Sequence, residues 1–381
     1  MRIGIWLPVY GGWLRTIDQP AEPDVSACLA IAQQAEAMDF DFLYASENLL
    51  NCIHGPQESV ADAWTLLAAI AAGTSHINLV GAVKPGFRSP LLVARMIDTL
   101  TRIAGRRLGM NVVCGWWRQE FDLSGVEWLD HAKRYRRAES FLQAFGGFFN
   151  PPAARPAESD ELAGDRGAYS RPSYGLDVDA FPEIWASGHS AEATRLAAEW
   201  CGHLFLNGMS DDALVRHIGS VQQVTRQWNR TVSIALNAYV IAAETRDQAL
   251  RRREMVIENR DIEKIAFFRD VMEESDSSAW AGLNDLQMVD SNSGFDAGLI
   301  GSFEDVRERL VELAELGVDT IVCQFDDPMR DAGPFMKQVI RPLRVELAER
   351  VDAFRHVAGR DPMPGRSNLS PDTKSRPTKE T

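Results

Sequence analysis

The stretch LGMNVVCGWWRQEF, residues 108–121, crowds two tryptophans, an arginine and a glutamate behind an apolar run. The apolar run suits a buried strand. The mix that follows suits a pocket wall, where flat apolar plates carry a few polar groups. Asn111, Trp116 and Glu120 are candidate site residues on this ground; alternatively, Trp116 and Trp117 only cover a core and Glu120 is a solvated loop carboxylate. Shortly afterwards DHAKRYRR opens an amphipathic helix with Asp130 as candidate N-cap. Arg134 and Tyr135 then fall in its first turns, beside free backbone N–H groups and the positive dipole end, a setting that attracts phosphate. An exposed basic helix face is the other reading. A second turn, WASGHSAEA, contains Gly188, His189 and Ser190. Gly188 admits close backbone approach, and the Ser190 hydroxyl with nearby amides suits an anion, or simply caps a helix.

Other residues are candidates of a looser kind. His54 and His189 follow strand ends, and each is either a proton donor or an ordinary loop group. Lys84 either faces a pocket or pairs with a carboxylate, and Arg88 braces the loop after it. In LNAYVI the strand-interior amide of Asn237 needs partners, which makes Asn237, with Tyr239 and Asn207, a candidate substrate contact.

The elements that must position these groups follow from periodicity. Apolar runs at 2–8, 42–46, 77–83, 108–114, 182–186, 202–206, 232–241 and 320–325 read as eight strands. Between them lie stretches such as DVSACLAIAQQAEAMD, with apolar positions every three or four residues. Such alternation predicts an α/β fold of parallel strands and crossover helices, most simply a (β/α)8 TIM barrel. An open doubly wound sheet competes, but no GxGxxG turn follows the first strand. In a barrel the C-terminal strand ends form one rim, so the two anion-suited turns would stand side by side. One domain is expected over 1–358, with insertions at about 150–179 and 275–298. The second insertion is a candidate lid. Residues 359–381, rich in Pro, Ser and Lys, read as a disordered tail.

Composition excludes several classes. The 381 residues are 45% hydrophobic and 25% charged, as in soluble globular proteins, and a net charge of −14 disfavours nucleic acid and anionic membrane as partners. No apolar run is long enough to span a bilayer, and the chain enters a strand pattern directly after Met1-Arg2, so a secretory signal is not expected. Five scattered cysteines without a CxxC pair predict reduced thiols in a cytoplasmic protein. No metal-spaced cluster and no GxSxG elbow is present, so a metal site is not expected.

Four longer motifs carry a resemblance: IGIWLPVYGGW, VKPGFRSPLLVARMIDTLTRIAGRRLGMNVVCGW, LDHAKRYRRAESFL and LIGSFEDVRERLVELAELGVDTIVCQF. Through them residues 1–350 resemble the bacterial-luciferase-like flavin-dependent monooxygenases, in the branch of dimethyl-sulfone, alkanesulfonate and pyrimidine monooxygenases. The resemblance implies a (β/α)8 barrel and reduced FMN as co-substrate, delivered by a separate NAD(P)H-dependent flavin reductase and used with O2. It also implies a homo-oligomer, dimer or tetramer. It places Asn111 and Glu120 against the flavin ring or ribityl chain, and Arg134, Tyr135 and Ser190 on the FMN phosphate, with Gly188 and His189 in the same turn. Glu47, Asn48 and Ala82 fall where the pyrimidine enzymes contact flavin with different side chains. Trp116 would wall the oxygen side and Asn111 would donate to the ring edge.

Departures from the family patterns narrow the substrate. Val60 stands where the alkanesulfonate enzymes carry a cysteine, and Asn237 and Tyr239 stand where they carry Arg and His, so sulfonate is disfavoured. Ala82 replaces the Thr of the pyrimidine enzymes. Ala82, LNAY and Asn207-Gly208 look most like the dimethyl-sulfone enzymes. A sulfone-like neutral substrate is therefore expected, with an amide or pyrimidine ring, or a specialised metabolite, as alternatives. A non-catalytic flavin-binding protein and a deazaflavin-dependent hydride-transfer enzyme are the rivals in other classes.

Overall fold

The computed structural model describes residues 1–105, 107–149, 175–277, 280 and 282–358. Most of the expected insertion at 150–179 and the whole expected tail lie outside these residues. Eight parallel strands close a barrel: β1 (Arg2–Trp6), β2 (Phe42–Ala45), β3 (Asn78–Val83), β4 (Leu108–Val112), β5 (Glu183–Ser187), β6 (His203–Leu206), β7 (Ser233–Tyr239) and, after two short strands, β10 (Val318–Gln324). Closure is made by β1 against β10, from Arg2↔Thr320 to Ile5↔Cys323. All eight expected strands are present.

One boundary differs. The run 232–241 does not stay in the barrel: β7 ends at Tyr239, and Ile241 N–H donates to Leu299 O at 2.9 Å. There β8 (Ile241–Ala243) starts a two-stranded parallel sheet with β9 (Ile300–Ser302). A continuous apolar run carries no mark of which half pairs with which partner, so the break is invisible to periodicity.

Local chemistry sets the helix starts. Asp24, Asp62, Ser89 and Ser190 each accept a backbone N–H of the first turn. Thr245 with Gln248, and Ser302 with Asp305, form reciprocal capping boxes. Asp130 accepts from Lys133 N–H at 2.9 Å at the start of the helix His131–Phe149.

The barrel interior is layered. At its lower end Glu183 takes a 2.7 Å bond from Arg2 and pairs with His203, while Trp185 stacks on His203 at 4.7 Å. Burial would raise the Glu183 carboxyl, but His203 and Arg2 outweigh it and hold it at about 2. Gly4 is needed here, because a Cβ would sit 2.4 Å from the Phe42 ring. Above this, Trp6, Tyr44 and Phe205 meet with centroid separations of 4.9, 5.5 and 5.2 Å, all steeply inclined. This aromatic trio plugs the barrel and forms the floor of what lies over it.

Candidate active site

Over that floor, at the C-terminal ends of the strands, opens a cleft of about 1030 Å³ counted with its mouth. Trp6, Tyr44 and Phe205 lie beneath, and Trp116, Phe268 and Trp280 form an aromatic wall. Trp116 stacks on Trp117 at 5.9 Å and meets Phe268 at 6.3 Å and Trp280 at 5.9 Å. The polar wall includes Ser46, Glu47, Asn48, Lys84, Ser187 and Asn207.

The fourth and fifth βα turns meet as expected. Arg134, Tyr135, Gly188 and His189 all line one end of the cleft. Arg134 is buried; its Nη1 donates to Leu129 O at 2.7 Å and its guanidinium lies 4.0 Å over the Trp128 ring. Its other partner is the Asp276 carboxylate, at 3.0 Å from Nη1 to Oδ2 and with a second bond from Nη2. The Arg134 Nε has no acceptor among the described residues. Gly188 has φ +138°, and a Cβ there would meet Tyr135 Oη at 2.6 Å and Ala193 Cβ at 3.0 Å. Burial pushes the Tyr135 hydroxyl up, so it stays a neutral donor. Ser190 caps the helix Ala191–Trp200 by accepting from Ala193 N–H at 3.1 Å, and it is also a hydrogen-bond partner of Tyr135.

A buried guanidinium already engaged by a carboxylate, beside a helix start and a glycine turn, is a cradle for an anionic oxygen group. The donor set fits the phosphate of FMN. Among the described residues no group of three or more His, Cys, Asp or Glu is placed to hold a metal.

Other candidates are positioned differently from expectation. Asn111 is fully buried beneath the cleft: its Nδ2 donates to Tyr44 Oη at 2.7 Å and to Ser187 Oγ at 2.8 Å, while Ser187 Oγ donates to its Oδ1 at 3.0 Å. Its amide is spent on two wall residues and does not itself form the wall. Glu120 is also fully buried. It accepts from Leu49 N–H at 2.7 Å and pairs with Lys84 Nζ, which also bonds Asn48. Lys84 thus both lines the cleft and pairs with a carboxylate. Glu47 lies on the wall, accepting from Lys84 N–H at 2.7 Å and Arg88 Nε at 2.6 Å; burial raises its carboxyl although Arg88 and Lys84 oppose this. Ala82 and Asn48 line the cleft as expected.

Asn237 and Tyr239, expected as substrate contacts, lie deeper than the cleft wall. Both are fully buried and neither lines the cleft. Asn237 Nδ2 donates to Ser291 O at 3.1 Å and Asn292 O at 3.2 Å, and Tyr239 meets Phe295 at 5.1 Å. The 290–295 segment covers the end of β7. The segment 275–298, expected as a lid, is divided between two places: Asp290 and Ser291 are buried and bonded to the barrel top, while Ser277, Trp280 and Asn292 line the cleft. The two candidate histidines, His54 and His189, are both pushed toward the neutral form. Burial, then His217, lowers His189 to about 4, and its Nε2 accepts from Asn207 N–H at 2.9 Å. Burial, then Lys264, lowers His54 to about 4, with Nε2 engaged by the Gly12 backbone.

Sequence reasoning missed Tyr44, Phe205, Trp13, Arg15 and Asp276. The first two sit in apolar runs that read only as strands. Trp13 and Arg15 belong to a motif read for its likeness, with no role assigned to its side chains.

Comparisons with known proteins bear on the whole chain. It is 28% identical to the FMNH2-dependent dimethylsulfone monooxygenase of Pseudomonas fluorescens, over 93% of this chain and 97% of that one. It is 27% identical to the pyrimidine monooxygenase RutA of Allorhizobium ampelinum, over 92% and 99%. The solved structure of the long-chain alkane monooxygenase LadA superposes with a TM-score of 0.73 at 17% identity, covering 91% of each chain, which speaks to fold. Residues 1–320 match the family model described as luciferase-like monooxygenase. A pattern of that extent spans the first seven barrel strands and both anion-suited turns, and by it this chain belongs to the luciferase-like monooxygenase family.

Proposed function

We propose that this protein is the oxygenase of a two-component system, taking reduced FMN from a separate NAD(P)H-dependent reductase and oxygenating a small, polar, sulfone-like molecule. The observation that carries the reading is the buried Arg134 beside Tyr135 and the Gly188–His189 turn, lining an aromatic-floored cleft. Relatives that use FMNH2 on dimethylsulfone, matched nearly end to end, support the same reading.

On this reading Arg134, Tyr135 and the amides of His189 and Ser190 would hold the phosphate, with Gly188, whose own N–H is bonded to Phe205 O, letting the turn come close. Reduced FMN, when bound, supplies two electrons, so that one oxygen atom enters the product and the other leaves as water. Trp6, Tyr44 and Phe205 support the ring from below, while Trp116, Phe268 and Trp280 keep bulk water from the reacting atoms. Asn111 acts as a positioning residue by orienting the Tyr44 hydroxyl and Ser187. The Lys84–Glu120 pair sets the rim by holding the backbone at Leu49. A cytoplasmic setting fits the five free, buried cysteines, and a homo-oligomer is part of the proposal.

The test is a reaction with flavin reductase, NADH, FMN and ¹⁸O₂ on a panel of sulfones, sulfinates, sulfonates, uracil-like amides and N-heterocycles. Mass spectrometry reads the products. One ¹⁸O atom in a sulfone-derived product is the expected result. Labelling confined to uracil-like amides would move the assignment to the chemistry of the RutA relatives. FMN binding without label in any product would leave a non-catalytic flavoprotein.

A further inference from the structure

Tyr10, in the loop after β1, and Ser46, Asn48 and Cys52, in the loop after β2, stand together on the cleft wall with Lys84. The phosphate cradle uses none of them. Lys84 Nζ donates to Asn48 Oδ1. An ammonium can only donate, so this contact fixes which way the Asn48 amide faces. Asn48 Nδ2 is thereby turned outward, donating to Tyr10 Oη at 2.7 Å and to Cys52 Sγ at 3.1 Å. Ser46 Oγ accepts from Trp6 Nε1, in the floor, at 3.2 Å. Ser46 and Cys52 are each also hydrogen-bond partners of Tyr10. Burial pushes the Tyr10 phenol up, and the Cys52 thiol up to about 11, so both keep their hydrogens.

The hydrogens of this trio outnumber the places for them. Ser46, Tyr10 and Cys52 carry one each, and every contact from outside the trio arrives as a donor, from Asn48 or Trp6. Within the trio there are two links, Ser46 to Tyr10 and Tyr10 to Cys52, and each link holds one hydrogen. One hydrogen is therefore left without an acceptor among the described residues. It is not that of Tyr10. Asn48 fills one Tyr10 lone pair, so Tyr10 can accept from only one of its two neighbours and must donate to the other. The surplus falls to Ser46 or Cys52. A hydroxyl is a stronger donor than a thiol. With an acceptor oxygen in the cleft the favoured order is that Cys52 donates to Tyr10, Tyr10 to Ser46, and Ser46 to the ligand. Ser46 keeps 9% of its surface open, against 2% for Tyr10 and 7% for Cys52.

We propose that Ser46 Oγ–H is the donor through which the cleft holds an acceptor oxygen of a bound molecule, and that Tyr10, Asn48 and Lys84 are positioning residues that keep its hydrogen turned outward. The group it takes is an oxygen with no hydrogen of its own, on a ring carbonyl of the flavin or on the small second molecule. This rests on the oxygenase reading of the cleft and deepens it. The polarity of the chain is set at its far end: Lys84 orients Asn48, Asn48 orients Tyr10, and Tyr10 with Trp6 fills the lone pairs of Ser46. A hydroxyl whose lone pairs are both occupied acts only as a donor, and a chain of aligned bonds strengthens the last one.

The test is equilibrium binding joined to infrared spectra of the bound probe, with no catalysis required. The probes are oxidised FMN, and dimethyl sulfone and uracil with and without FMN. Ser46→Ala should weaken at least one probe about five- to tenfold and raise the C=O or S=O stretching frequency of that probe when bound. A shift in the flavin carbonyl band assigns the donor to the cofactor, and a shift in the sulfone or uracil band assigns it to the second molecule. Ser46→Thr keeps the hydroxyl and should retain both affinity and band position. Asn48→Asp turns a donor to Tyr10 into an acceptor, so the hydrogens of the trio are all used internally. It should therefore silence the intact Ser46, with the same loss as Ser46→Ala and no further loss when the two are combined. The assignment is overturned if every probe keeps wild-type affinity and band position in Ser46→Ala, or if Ser46→Thr loses as much as Ser46→Ala. Wild-type binding in Asn48→Asp would overturn the orienting chain. A band shift in a protein that labels no product with ¹⁸O₂ would uphold the donor while the oxygenase reading fails.

Discussion

The guanidinium of Arg134 is held by the carboxylate of Asp276, 142 positions later, with Nη1 3.0 Å from Oδ2. Arg134 is 2% exposed and Asp276 41% exposed, so a buried cation is met by a solvent-screened acid. If Arg134 grips the FMN phosphate, Asp276 competes for the same donors. Asp276→Asn should therefore tighten FMN binding, by about 1 kcal/mol or roughly fivefold after allowance for screening. Arg134→Ala should weaken it by ~1.5–3 kcal/mol. In the Arg134→Ala background Asp276→Asn should have no further effect. Fluorescence titration of the four proteins checks this, and equal FMN affinity in all four would remove both residues from the cofactor site.

Gly188 turns the chain at φ +138° under the Tyr135 hydroxyl. An alanine there meets both backbone strain and a Cβ collision. Gly188→Ala should cost about 1–3 kcal/mol of stability, seen in denaturant unfolding, and should weaken FMN binding at least tenfold. Wild-type FMN affinity would take this turn out of the phosphate cradle.

Lys84 and Glu120 are 1% and 0% exposed and pair with one another. Removing one partner strands the other charge. Lys84→Met should destabilise the protein by ~3–5 kcal/mol in urea unfolding, and adding Glu120→Gln should recover much of that loss. A double variant no more stable than Lys84→Met would show that the pair's hydrogen bonds, not its charges, hold the rim.

Asp290 links pH to stability. Burial raises its carboxyl to about 7 in the folded state, against an ordinary value of 3.8. Between these values the folded protein holds a proton that the unfolded chain has released, so stability falls as pH rises from about 4 to about 7 and is level above. At 1.36 kcal/mol per pH unit of that window the effect is ~4 kcal/mol. His54 and His189, lowered to about 4 by burial, act in the opposite sense, with stability lost as pH falls below 6.5. Comparison of Asp290→Asn with wild type isolates the acid: the variant should gain relative stability steadily from pH 4 to pH 7. A constant difference across that range would show that Asp290 titrates normally.

Much of this protein was decided by local sequence. Apolar runs spaced by amphipathic stretches specify eight parallel strands, because strand and helix periodicities differ and each buries one face. The caps Asp130 and Ser190 are equally local, since a cap needs only a side-chain oxygen within reach of the next turn. Adjacency of the fourth and fifth turns follows from barrel order alone. The rest depended on closure in three dimensions. That Arg134 meets Asp276, that Lys84 meets Glu120, and that Asn237 lies under Ser291 are contacts between distant positions, which no spacing rule encodes. Whether a donor is satisfied is also a property of the packed state. Trp13 and Arg15 are unremarkable in PVYGGWLR. Only packing decides that the Trp13 indole N–H and the Arg15 Nε–H are buried without an acceptor among the described residues.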